Sequence, residues 1–158
     1  MSDMTFPDEG GDPACWAHLG ELHDVATRRD VELLVRTFYR AAAMDDLLGP
    51  VFAAAHVDWP THLATVADFW TWQLLGVRGY EGNPLLAHRP AHATTPFTDA
   101  HFERWLALFT ETVDEMFEGP TAELAKARAV KMAQALRRLL RGESGPGDVP
   151  IEVLGLRP

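Results

Sequence analysis

The chain has a single cysteine, Cys15, so no disulfide can close within it, and this usage fits a reducing cytoplasm. No uninterrupted apolar run is long enough to insert into a bilayer. The first residues, Met1-Ser-Asp-Met-Thr-Phe-Pro-Asp-Glu, are acidic and lack the apolar segment of a signal peptide, which again predicts a cytoplasmic protein. Positive charge is scarce. Lys and Arg number 14 against 23 Asp and Glu, a net charge of −9, which argues against a nucleic-acid backbone or an anionic membrane as the main partner. The phosphate-cradling Gly-Lys-Ser/Thr loop and the dinucleotide glycine fingerprint are missing, and so is the His-Glu-x-x-His zinc motif. No glycine-flanked serine is present to anchor a nucleophilic triad, and Cys15 sits in a Gly- and Pro-containing acidic stretch that suits a nucleophile poorly.

What is present reads as one helical domain. At 158 residues, 47% hydrophobic and 23% charged, the chain has the balance of a single globular unit. Residues 1–14 read as a tail and 15–24 as a short helix through Trp16. From about Thr27 to Met44, Val31, Leu34, Val35, Phe38, Tyr39 and Ala42 recur at three- and four-residue steps, the spacing of one helix face. Val51-Phe52-Ala53 is a short apolar step. Asp58-Trp59-Pro60 reads as a capped helix start, and His62, Val66, Phe69, Trp70 and Gln73 form the stripe that follows until Gly76. Residues 76–97 form a long Gly- and Pro-rich connection with at most one helical turn near Leu85 to His88; loops of this length tend to be functional. Thr98 caps the next helix, with Phe102, Trp105, Leu106, Phe109, Val113, Met116 and Phe117 on its apolar face. A last helix, Thr121 to Arg141, carries Ala125, Ala129, Met132, Ala133, Leu136 and Leu140, and Gly142 closes it. No strand alternation competes, so the fold class is all-α.

The chain has five tryptophans and eight phenylalanines, and most of them fall in these helices. Aromatic stripes describe an ordinary core as well as a cofactor pocket. The seven histidines offer no close pair on one unbroken helix: His88 and His92 have the spacing, but Pro90 between them predicts a break. One imidazole facing an apolar slot fits haem, whose porphyrin supplies the other four nitrogens. By residues alone His88 and His92 remain alternatives for such a role, and His62, Tyr39 and Trp105 are equally describable as core or surface side chains.

Several segments in order carry a resemblance. They are Thr37-Phe38-Tyr39; Leu47-Leu48-Gly49-Pro50-Val51-Phe52; Trp59-Pro60-Thr61-His62; Asp68-Phe69-Trp70 with Leu74-Leu75-Gly76; Tyr80-Glu81-Gly82-Asn83-Pro84 and His88; and His101-Phe102-Glu103-Arg104-Trp105 through Phe109. Together they resemble the group III truncated haemoglobins over about residues 24–141. The resemblance implies a two-over-two helical sandwich around haem b at 24–141, between an N-terminal extension (1–23) and a C-terminal tail (142–158). It implies His88 as the proximal ligand of a six-coordinate iron, with Tyr39, His62 and Trp105 as distal groups. Phe52 would pack on the porphyrin, and Val66, Phe69, Trp70, Leu85, Phe102, Leu106 and Phe109 would line its cavity. Arg89, Arg78 and Arg104 are candidates for the propionates, since carboxylates pair well with guanidinium, and each reads equally well as an exposed arginine. Cys15, His18, His23, His56 and His101 receive no role, and His92 is expected in solvent. The segment His92-Ala-Thr-Thr-Pro96 is slightly long for the family, which predicts a looser proximal side.

The implied function is binding of oxygen, or of NO or CO. Three donors around one ligand predict slow release. That keeps two further readings in view: a nitric oxide dioxygenase or peroxidase-like enzyme acting on peroxide with an external reductase, and a haem-based sensor.

Overall fold

The computed structural model describes residues 20–142, which form seven helices and no strand. The expected tails therefore lie almost wholly outside the described residues. So does the start of the helix expected at 15–24; its described part, from Gly20 to Asp24, is not helical.

Helix α1 (Arg28–Met44) buries the six residues its spacing predicted: Val31, Leu34, Val35, Phe38, Tyr39 and Ala42. It begins where Thr27 and Asp30 satisfy each other's orphan backbone N–H groups. Burial alone would raise the Asp30 pKa. Hydrogen bonds from the backbone of Ala26, from His23 and from Thr27 prevail and hold it down at about 2. Helix α2 (Gly49–Ala54) turns the step at Phe52 into a short helix, with Pro50 in its first turn. Helix α3 (Trp59–Leu75) ends at Gly76, whose φ of +70° is left-handed backbone. The expected Asp58 cap is not made: its carboxylate takes the Thr61 hydroxyl rather than a backbone N–H.

The connection after Gly76 is more ordered than expected. It contains α4 (Pro84–Ala87) and α5 (Arg89–Thr94). Pro90 does not break the chain, because it occupies the first turn of α5, where a missing N–H costs nothing. Helices α6 (Asp99–Met116) and α7 (Pro120–Leu140) complete the fold. Helix α1 packs on α3 and α6, α6 on α7, and α3 also reaches α7. This is the two-layer packing that the resemblance implies.

The start of α7 borrows its cap from far away in sequence. The Asp24 carboxylate accepts the backbone N–H groups of Thr121 (2.9 Å) and Ala122 (2.8 Å). Gly119, at φ +143°, is required beside it, since a Cβ there would lie 2.5 Å from the Asp24 carboxyl carbon. Asp24→Ala is expected to cost about 1–2 kcal/mol, the usual loss on removing a cap, read as a lower Tm; Asp24→Asn, which keeps an acceptor, should recover most of it.

Candidate functional site

Helices α1, α2, α3, α6 and α7 and the α4–α5 corner enclose one cavity of about 200 Å³. Its lining includes Tyr39 from α1, Phe52 from α2, His62, Val66, Phe69 and Trp70 from α3, and His88 from the corner between α4 and α5. Phe102 and Trp105 come from α6, and Met132, Ala133 and Leu136 from α7. These walls are overwhelmingly hydrocarbon and aromatic.

His88 is held in one tautomer. It follows α4 directly, and its Nδ1–H donates to the carbonyl of Pro84 four residues earlier. A neutral imidazole that donates through Nδ1 keeps its lone pair on Nε2, the arrangement of a metal-ligating histidine with its supporting carbonyl. Burial lowers the His88 pKa, against the opposing effect of that hydrogen bond, and so favours this neutral form.

A second group of rings gathers at the same cavity, with Tyr39, Phe52 and His62 on its lining and Trp59 behind them. Tyr39 and His62 meet edge to face at 4.8 Å, Tyr39 contacts Phe52 at 5.9 Å, and Trp59 closes on His62 at 5.9 Å. No ring contact joins this group to His88 and its neighbour Phe97 among the described residues. Instead, burial and then the nearby His88 both lower the His62 pKa, so His62 is held neutral. Burial pushes the Tyr39 phenol well above its ordinary range, so it keeps its proton.

One polar atom of this second group is unspent. His62 Nε2 is buried without a hydrogen-bond partner. Nothing among the described residues accepts a proton from the Tyr39 hydroxyl or the Trp105 indole, so the core-tyrosine alternative loses its expected carbonyl partner. Thr71 Oγ1 is the other orphan, but Thr71 lies off the cavity. Leaving buried polar atoms unpaired is costly. Donors left free around an apolar slot, with one directed imidazole lone pair, fit a flat apolar cofactor carrying a metal and its small ligand.

Not every expected residue reaches the cavity. Phe109 is 1% exposed and sits one layer behind it, stacked on Trp70 (4.9 Å) and Trp105 (5.4 Å). Leu106 packs partly buried against the core, off the lining. The Leu85 side chain falls outside the described residues. Arg89 and Arg78 are exposed and off the lining. Arg104 is spent elsewhere: its Nε donates to Asp45 at 2.7 Å. His92 is not a solvated loop residue, since its Nδ1 accepts the backbone N–H of Phe97 at 2.9 Å. That bond ties the segment after α5 back to the helix. Residues missed in the sequence include Leu48, Val51, Tyr80, Phe97 and His101, and Met132, Ala133 and Leu136 of α7. Only the α7 residues lay on a stripe that could have marked them.

Comparison with known proteins agrees with this geometry. The family described as "Bacterial-like globin" matches residues 23–139. A group 3 truncated hemoglobin of Campylobacter jejuni is 28% identical over 121 residues, covering 74% of this chain and 93% of that protein. The crystal structure of a group III truncated hemoglobin from Campylobacter jejuni superposes with a TM-score of 0.67 at 29% identity, over 79% of this chain and 99% of that one. The chain belongs to the bacterial-like globin family, as a haem-binding globin with the truncated, group III type of fold.

Proposed function

We propose that this globin binds haem b through Nε2 of His88, in the cytoplasm, and reversibly holds oxygen, or NO or CO, among Tyr39, His62 and Trp105. The observation that carries this reading is the single tautomer of His88 on an apolar cavity that also holds the unpartnered Nε2 of His62. Haem, when bound, supplies an iron with one further position for a diatomic ligand. Phe52, Val66, Phe69, Trp70 and Phe102 exclude water and pack the ring. Tyr39 and Trp105 donate hydrogen bonds. His62, kept neutral by burial, donates through whichever nitrogen carries its proton.

Absorption spectra of the ferric, ferrous and CO forms test the proposal. An intense Soret band after reconstitution, shifted by CO in the ferrous form, is expected. A chain that stays spectrally blank with excess haem would overturn it.

The same crowd of donors favours one second reading. Ligand that leaves slowly suits reaction better than delivery, which points to oxidation of nitric oxide to nitrate by bound oxygen, with electrons from a separate reductase. Sustained nitrate production in the presence of an added electron donor would support that role; a single turnover would not.

A further inference from the structure

Haem carries two propionate carboxylates, and the arginines expected to receive them do not line the cavity. Arg104 is paired with Asp45, and Arg78 and Arg89 are exposed. We infer that His101 is a propionate-binding residue, donating from Nε2–H to one carboxylate of the haem. This rests on the proposed haem site.

His101 lines the cavity, half-buried, at the third position of α6. The backbone N–H of Thr98 donates to its Nδ1 at 2.9 Å, and the Thr98 hydroxyl lies 2.9 Å from the same nitrogen. A backbone N–H can only donate, so Nδ1 carries no proton. The neutral ring must then carry its proton on Nε2. That N–H has no partner among the described residues. The helix start thus fixes a hydrogen-bond donor on the cavity wall.

The residue type supports the assignment. This position of a Thr-initiated helix is ordinarily suited to Glu or Gln, whose oxygen takes the cap N–H. Glutamate would do that here but would bring a negative charge to the cavity. Histidine takes the same N–H and presents a donor instead. Asp99, two residues before His101 and off the lining, already holds both Arg137 (2.8 Å) and Arg141, so His101 is the donor that the start of α6 brings to the cavity.

The test separates capping from propionate binding. His101→Glu keeps the reciprocal cap with Thr98, so the apoprotein should unfold at or above the wild-type temperature. It replaces the donor by a carboxylate, so haem should pass from the reconstituted holoprotein to an excess of a haem-scavenging apoprotein about tenfold faster or more. His101→Gln, which keeps both the cap acceptor and an N–H donor, should fall between the two. With haem dimethyl ester, which has no carboxylates, wild type and His101→Glu should lose the cofactor at the same rate. Equal protohaem loss in the two proteins would overturn the inference, and so would an acceleration that persists with the ester. Failure of the underlying haem site is a different result: the wild type itself would show no Soret band.

Discussion

His88→Gly is expected to speed haem loss from the reconstituted protein by at least about 100-fold, since disturbing even the supporting partners of a metal ligand costs about 10- to 100-fold. The variant removes only a ring. His88 lies between α4 and α5 in helical backbone, and its own carbonyl still accepts the His92 N–H, so the corner should persist. The space left by the ring is lined by Pro84, Ala87 and Phe97 and suits free imidazole. Added imidazole should therefore restore the Soret band and slow haem loss, although the tether is gone. His92→Ala supplies the control. His92 Nδ1 is committed to the Phe97 N–H, so its loss should loosen the following segment while leaving the spectrum of the CO form unchanged. Wild-type haem retention in His88→Gly, or a ligand-type change of spectrum in His92→Ala, would overturn the assignment of the two histidines.

The long helices were legible because each carries a full period of apolar residues and a chemical stop. The six buried residues of α1 are those its spacing marks, and Gly76 ends α3 as its φ requires. The corner around His88 was less legible. Helices of four and six residues are too short to show a period, and Pro90 reads as a breaker until its place in a first turn is known. The cavity was legible only in part, because its walls are contacts between residues far apart in the chain. Spacing puts Phe102, Trp105, Leu106 and Phe109 on one face of α6. It cannot say that Phe102 and Trp105 border the cavity while Phe109 is sealed behind, stacked on Trp70. His101 was invisible for another reason. Its tautomer depends on a backbone N–H three residues away, and nothing in the one-letter pattern distinguishes that from a solvated imidazole. Asp24 likewise reads as an acidic residue before a helix, yet it caps a helix that begins almost a hundred residues later.

Tyr39→Phe is expected to raise the oxygen dissociation rate by about 10- to 100-fold, because one hydrogen bond to a polarised ligand in a water-poor pocket is worth about 1.5–3 kcal/mol. The same change should leave the apoprotein as stable as wild type or slightly more so. The Tyr39 hydroxyl donates to no described residue, so its removal breaks no internal bond, while the ring keeps its contacts with Phe38, Phe52 and His62. That pairing of outcomes distinguishes a ligand-facing phenol from a core tyrosine, whose loss would lower Tm and leave oxygen release untouched. Trp105→Leu alone mixes two effects, because it removes both the indole N–H and the stacking on Phe109 at 5.4 Å. The double variant resolves them. If Tyr39 and Trp105 donate to the same ligand, the rate increase for both changes together should differ from the product of the single increases, since residues sharing one bonded partner are not additive. Independent, multiplicative rates would instead mean that only one of the two touches the ligand. Unchanged release in Tyr39→Phe would remove the phenol from the binding site altogether and leave Trp105 and His62, whose Nε2 is buried without a partner, as the donors that govern ligand release.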